Sequence, residues 1–202
     1  PKPPTEVWLE VLDDHLDLLS RYPDTSRPHP LLIADLLQNA SRCIRRRRYD
    51  DAMARLYRTL EALGQWALLH DFHLHTDKFA QDVKANLSPQ QQELLEATLG
   101  TPLPEKIGLE DDFRVLFLLD HPLAGHVIER TRRDPKPRLK KTWRSIQKKR
   151  NHSILAHGFS PVKSSDCEKM LHSLTDVCRQ VFGPDWSSDF DRLAFPACPD
   201  LT

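Results

Sequence analysis

The chain has 202 residues, of which 39% are hydrophobic and 29% are charged, and its 29 basic side chains balance 29 acidic ones. This composition excludes a collagenous or disordered chain, and the longest apolar run, Val115–Leu119, is far shorter than the about 20 residues that a membrane-spanning helix needs. A chain of this length can bury a core of its own, as one large domain or two small ones.

Helical periodicity dominates the chain, whereas strand signals are weak, since there are six glycines and no Asn-Gly or Asp-Gly hairpin turn. The predicted helices, in chain order, run over Thr5–Ser20, Leu31–Arg47, Asp50–Leu74, Pro89–Leu99, Leu109–Arg130, Arg138–His157 and Ser164–Phe182. Prolines separate most of these segments, and His121-Pro122 marks a break within the fifth. Segment 75–87 fits no clear pattern, so a small irregular or extended insert is expected there. The pattern therefore predicts an all-α bundle of about six to seven helices.

The third predicted helix shows the periodicity most clearly. Leu56, Leu60, Leu63 and Ala67 are spaced four, three and four residues apart, which places them on one face of a helix. We expect this face to be buried.

The ends of the chain differ in composition from its centre. Residues 1–4, rich in proline, are interpreted as a linker remnant from an upstream domain, residues 5–184 as one helical domain, and residues 185–202 as an acidic tail that contains proline. The four cysteines, at positions 43, 167, 178 and 198, form no C-x-x-C pair. Free thiols and the lack of a signal-peptide core at the start favour a cytoplasmic location.

The neutral net charge conceals an uneven distribution. Between Glu129 and Arg150 eleven basic residues oppose two acidic ones, and a second basic cluster comprises Arg42 and Arg45–Arg48. Separated charge of this kind attracts polyanions such as RNA or DNA, although basic runs are also common on ordinary helix surfaces.

Two polar residues interrupt the apolar stripe of the sixth predicted helix. Arg150 and His157 project within about 40° of the stripe formed by Leu139, Trp143 and Ile146. Burying a guanidinium or an imidazole without a partner is costly. Either an acidic group in the core compensates them, as satisfied structural groups, or they line a cleft or an interface that receives an anion.

The spacing of Arg150 and His157 favours a site shared between two copies. Seven residues span about 10 Å along a helix, so one helix does not easily direct both groups at one atom. A two-fold dimer would bring two arginines and two histidines around one cleft. Histidine exchanges protons near neutral pH and arginine binds phosphate oxygens, which suits RNA cleavage by the ribose 2′-hydroxyl without a metal or another cofactor.

The stretch Arg150–Gly158, RNHSILAHG, resembles the R-x(4-6)-H signature of HEPN ribonucleases, in the form found in CRISPR-associated ancillary proteins of type III systems. A second stretch, Arg48–Glu61, is similar to another helix of the same group. The resemblance identifies residues 5–184 as a HEPN-containing helical domain.

The resemblance implies an α-helical homodimer with a metal-independent endoribonuclease site that cleaves single-stranded RNA. Arg150 and His157 would be catalytic, and Asn151 would orient or assist them. An upstream CARF sensor domain would activate the site when it binds a cyclic oligoadenylate, and this chain contains no such sensor pattern. We expect nearby basic residues to guide the RNA strand. They are Lys140, Lys141, Arg144, Lys148 and Lys149.

Three other interpretations stay open at this point. The domain could be a non-catalytic HEPN module that dimerises and binds nucleic acid or a partner protein, or a toxin-type HEPN ribonuclease outside CRISPR immunity. His70, His73 and His75 form an H-x(2)-H-x-H pattern that could bind zinc, but no fourth ligand follows from the spacing, and a helix C-terminus also favours imidazolium. We therefore predict no metal site.

Overall fold

The computed structural model describes residues 4–21, 27–131, 134–152 and 161–194. Within these ranges the chain forms nine helices and one two-stranded sheet. They are α1 (Pro4–Ser20), α2 (Pro30–Arg45), α3 (Tyr49–Phe72), α4 (Phe79–Asn86), α5 (Pro89–Leu99), α6 (Leu109–Leu118), α7 (Pro122–Val127), β1 (Ile128–Thr131), β2 (Asp134–Leu139), α8 (Lys141–His152) and α9 (Ser164–Arg192). The prediction of an all-α bundle with a small extended insert is confirmed.

Helices α2, α3 and α9 pack against one another and form the centre of the bundle. The predicted face of α3 is buried, since Leu56, Leu60, Leu63 and Ala67 are at most 1% exposed. Cys43, Cys167 and Cys178 are buried and form no disulfide bond with one another, in line with the predicted thiol state, and Cys198 lies outside the described residues. None of the described helices is both long enough and apolar enough to cross a membrane.

The helix boundaries follow local signals in several places. Ser88 caps α5 in a capping box with Gln91, and Pro89 occupies the first helical position. The predicted break at His121-Pro122 divides the fifth segment into α6 and α7, with the His121 side chain accepting a hydrogen bond from the Leu123 N–H at 3.2 Å. The residues that cap these helices are close in sequence to the helix ends, so the sequence alone indicates these boundaries.

The position of the extended insert was wrong. Segment 75–87 contains helix α4, and the insert is the antiparallel hairpin β1–β2, in which Ile128 pairs with Leu139. Both residues of this pair are buried. Their apolar side chains matched the helical periodicity of the fifth and sixth predicted helices, and they fit a buried strand pair equally well. The prolines of β2 are tolerated because each strand of a two-stranded sheet has one edge without a partner strand.

Helix α9 is interrupted where its end was predicted, after Phe182, because Gly183 leaves the helical conformation with a φ of 80° and a ψ of −165°. A second helical part, which sequence analysis did not predict, begins at Pro184, where proline is tolerated, and runs to Arg192. Trp186 and Phe190 are buried, and their rings stack at 5.2 Å. The packed helical unit therefore extends beyond residue 184, into the region that we interpreted as an acidic tail.

The second part of α9 is anchored to α2 by hydrogen bonds as well as by apolar contacts. The Trp186 Nε1–H donates to the Pro30 carbonyl at 2.8 Å, and the Gln38 amide donates to the Phe190 carbonyl at 2.8 Å. Replacing Trp186 with phenylalanine keeps an aromatic ring but removes its donor. We expect Trp186→Phe to lower the free energy of unfolding by about 1 kcal/mol. A denaturant titration measures this loss, and an unchanged midpoint would show that the hydrogen bond contributes nothing.

Helices α3 and α6 approach closely at Gly64 and bury a carboxyl group. A Cβ atom at Gly64 would lie 3.2 Å from the Phe113 ring and 3.3 Å from the Asp112 Cβ. Asp112 is 1% exposed, and its Oδ1 accepts no hydrogen bond in the part of the chain that the structure describes. Burial raises the pKa of Asp112 to about 7; the negative charges of Glu61 and Asp111 add to this effect and Arg58 opposes it.

Candidate functional site

Helix α8 carries the first part of the motif that sequence analysis singled out. Arg150 and Asn151 lie in its last turn, and the Asn151 side chain is exposed. The Arg150 side chain and the whole of His157 lie outside the described residues. The catalytic roles of Arg150, Asn151 and His157 therefore stay predictions.

The start of α8 is held firmly on the domain. The Lys140 backbone N–H donates to the Val127 carbonyl at 2.8 Å, and the Trp143 indole N–H donates to the His126 carbonyl at 3.2 Å. Trp143 and Ile146 are 4% and 6% exposed, and α8 packs against α3. Trp143, on the apolar stripe that sequence analysis identified, is thus a core residue. The anchored helix provides a rigid base for the residues at its end.

The hairpin that precedes α8 is in turn fixed to α6. The Arg114 Nε–H donates to the Pro137 carbonyl at 3.0 Å, while its other two nitrogens bind Asp111 at 2.6 Å and Glu110 at 2.7 Å. Arg114 therefore joins the acidic first turn of α6 to strand β2. This arrangement defines where the chain enters α8.

The predicted RNA-binding residues lie on the outer face of α8. Lys141, Arg144 and Lys148 are exposed and spaced three and four residues apart, so they form one stripe on the helix. Trp143 and Ile146 lie on the other side, and Arg150, four residues after Ile146, occupies a backbone position in register with that inner side. The basic stripe and the predicted catalytic arginine thus occupy opposite sides of α8. The three-and-four spacing is the signal in the sequence that predicts this separation.

Two of the predicted RNA-binding residues already have partners within the domain. Arg144 pairs with Glu129 at 3.1 Å, and the Lys140 ammonium donates to the Gly125 carbonyl at 2.7 Å. The ion pair is exposed, and such pairs contribute at most about 1 kcal/mol, so a phosphate can displace the carboxylate. An ammonium has three donors, which leaves Lys140 able to bind a further acceptor. The side chain of Lys149 lies outside the described residues.

The histidines that suggested a zinc alternative are dispersed among different partners. His70 and His121 both bind the Asp71 carboxylate, at 2.7 and 2.6 Å, while His75 binds Asp82 at 2.7 Å. His73 ends α3 in a left-handed conformation. Within the described ranges no group of three or more His, Cys, Asp or Glu residues is arranged to hold a metal ion.

The shared carboxylate between His70 and His121 has a structural role. Partial burial raises the pKa of Asp71, but the hydrogen bonds from His70 and His121 together outweigh it, so the pKa lies below its ordinary value. Trp66 stacks on the His70 ring with centroids 4.9 Å apart. The cluster ties the end of α3 to the start of α7.

Comparison with known proteins places most of the chain in one family model. The model described as the Csm6 HEPN domain matches residues 24–181. The matched range runs from before α2 into α9 and includes both stretches on which the resemblance rests, Arg48–Glu61 and Arg150–Gly158. No curated protein matches the chain.

Proposed function

Because the chain belongs to the Csm6 HEPN domain family, a HEPN module of CRISPR systems, we propose that it is a metal-independent endoribonuclease for single-stranded RNA. The family match across the R-x(6)-H segment carries this proposal. The rigid seating of α8 through Trp143 and Ile146 supports it, because a catalytic group must be held in place by packed neighbours.

The proposed reaction needs only proton transfer and charge neutralisation. His157 of one copy takes the proton of a ribose 2′-hydroxyl, and the resulting oxygen attacks the adjacent phosphorus. The P–O5′ bond breaks, and the leaving oxygen receives a proton from the His157 of the second copy. Arg150 binds the non-bridging phosphate oxygens, on which charge develops. The products are a 2′,3′-cyclic phosphate and a 5′-hydroxyl end.

The proposed site is shared by two copies of the domain. Arg150 and His157 are seven residues apart, which is too far for one helix to focus both on a single phosphate, whereas two facing motifs supply both groups to one cleft. Asn151, exposed near the end of α8, would orient these groups. A homodimer is therefore part of the proposal.

The basic stripe on α8 suits the RNA strand outside the cleavage point. Lys141, Arg144 and Lys148 face away from Arg150, so a strand bound to them must pass around the end of α8 to reach the site. Lys140 and Lys149 extend the same positive charge along the sequence. Contacts of this type bind phosphates without reading the bases.

The family membership and the buried cysteines suggest how the proposed activity is regulated and in which compartment it occurs. HEPN modules of this group act with a CARF sensor domain, and we propose that a cyclic oligoadenylate bound to such a domain controls this site. The buried thiols of Cys43, Cys167 and Cys178 are consistent with a reducing compartment, which we propose is the cytoplasm.

A labelled single-stranded RNA incubated with the protein in excess EDTA tests the proposed activity. We expect cleavage with a 2′,3′-cyclic phosphate on the upstream product, because the 2′-hydroxyl is the nucleophile and no metal takes part. The matched control is the same oligonucleotide with 2′-deoxyribose at every position, which we expect to stay intact. Cleavage of the deoxy control, or loss of RNA cleavage on adding EDTA, would contradict the proposal.

A further inference from the structure

The turn between α2 and α3 displays three adjacent arginines. Arg45, Arg46 and Arg47 are exposed, and none of the carboxylates in the described ranges forms an ion pair with them. The flanking arginines differ, because Arg42 pairs with Asp35 at 3.4 Å and Arg48 pairs with Asp51 at 2.6 Å. Three uncompensated guanidinium groups side by side repel one another and attract an anion.

The backbone of this turn gives no reason for an arginine at its third position. The Arg47 N–H donates to the Ile44 carbonyl at 2.9 Å and the Arg48 N–H to the Cys43 carbonyl at 2.9 Å, which is the Schellman pattern that ends many helices. In this motif the residue in the left-handed conformation is usually glycine. Here it is Arg47, with a φ of 57°, although a side chain is unfavourable in that conformation.

Helix capping accounts for only part of the cluster. A cation in the last turn of a helix is favoured by the helix dipole, which explains Arg45. Arg46 and Arg47 follow the helix and add charge beyond its last turn, one of them at a conformational cost. The left-handed conformation itself serves to end the helix, as it does at His73 and Asp120, so the charge that lies beyond the last turn is what helix capping leaves unexplained.

The arginine turn lies at the end of the bundle where the chain enters α9. The Tyr49 carbonyl, two residues after Arg47, accepts a hydrogen bond from the Cys167 thiol, in the first turn of α9, at 3.4 Å. In the sequence, the segment that contains His157 leads directly into α9. The turn therefore lies beside the start of α9, on a different part of the domain from the basic stripe of α8.

We propose that Arg45, Arg46 and Arg47 bind the phosphate backbone of the single-stranded RNA substrate. This inference rests on the proposed function and adds a second contact surface to it. Guanidinium groups bind phosphate oxygens in pairs of parallel hydrogen bonds, and such contacts position a strand without reading its sequence. The strand would then contact two basic surfaces, the arginine turn and the stripe of α8.

The double variant Arg46→Ala with Arg47→Gly tests this surface without harming the turn. Glycine is the preferred residue at position 47, so we expect the melting temperature of the variant to equal or exceed that of the wild type. We expect its affinity for a 2′-O-methyl RNA, which cannot be cleaved, to fall about tenfold in fluorescence anisotropy. The slope of log affinity against log salt should decrease by about 1.4, since each lost phosphate contact on a single strand contributes about 0.7.

The matched control removes two positive charges elsewhere. Lys84 and Lys106 are exposed, so Lys84→Ala with Lys106→Ala changes the net charge equally. We expect this variant to keep the affinity and salt slope of the wild type. Equal losses in both variants, or no loss in the arginine variant, would overturn the inference.

The proposed function and the binding surface can fail separately. If the wild type cleaves RNA and the arginine variant keeps its RNA affinity, the proposed RNA-binding surface is wrong and the proposed nuclease activity is retained. If the wild type does not cleave RNA and only the arginine variant loses RNA affinity, the proposed nuclease activity is wrong and the proposed RNA-binding surface is retained.

Discussion

Replacing His157 with alanine is expected to lower the rate of RNA cleavage by about 100- to 10,000-fold, the range over which a general acid or base accelerates such reactions. The effect is large because the proposed site uses the same side chain in both copies, once to remove a proton and once to return it. Single-turnover cleavage of a labelled RNA in EDTA measures the rate without a contribution from product release.

Two further variants separate chemistry from folding in this experiment. His172→Ala removes an exposed imidazole paired with Asp176, and we expect it to keep the wild-type rate. Arg150→Lys retains the positive charge but loses the paired hydrogen bonds of the guanidinium, so we expect its rate to fall as well. Equal rates for wild type and His157→Ala would contradict the assignment, and a strictly monomeric mass at the assay concentration would contradict the shared site.

Replacing Asp112 with asparagine is expected to stabilise the protein, and increasingly so as the pH rises. The pKa of Asp112 is about 7 in the folded protein and near 3.8 when unfolded, so between these values only the folded state retains the proton. The stability of the wild type is therefore reduced as the pH rises from about 4 to about 7, by up to about 4 kcal/mol in total. Asparagine has no proton to lose and avoids this penalty.

Denaturant titrations at pH 4.5, 6 and 8 measure this difference. The gap in free energy of unfolding between Asp112→Asn and wild type should widen by about 3 kcal/mol from pH 4.5 to pH 8. Asp77→Asn, at an exposed carboxylate, serves as the control for the removal of one negative charge. The gap between the two proteins isolates the contribution of Asp112, because the titration of all other groups is common to both. A gap for Asp112→Asn that does not change with pH would contradict the prediction.

Much of the helical architecture was predictable because helices are specified by residues close together in sequence. The buried face of α3 follows from a four-three-four spacing, and the start of α5 follows from Ser88-Pro89. The candidate site stays a prediction from one segment, since the residues of the R-x(6)-H motif are read directly from the sequence. The separation of the basic stripe of α8 from Arg150 also follows from spacing alone.

Residue order alone predicts the all-α class, the principal helices and the residues proposed to carry the chemistry, because these depend on spacings of three to seven residues. Three features came from the folded structure instead: Ile128 pairs with Leu139 in a hairpin, a second helical part after Gly183 packs Trp186 against Pro30, and Asp112 is buried. Each of these depends on contacts between residues distant in the chain, 156 positions apart for Trp186 and Pro30. The energy of such contacts comes from burying one surface on another, and a local pattern shows that a surface is apolar without showing what covers it.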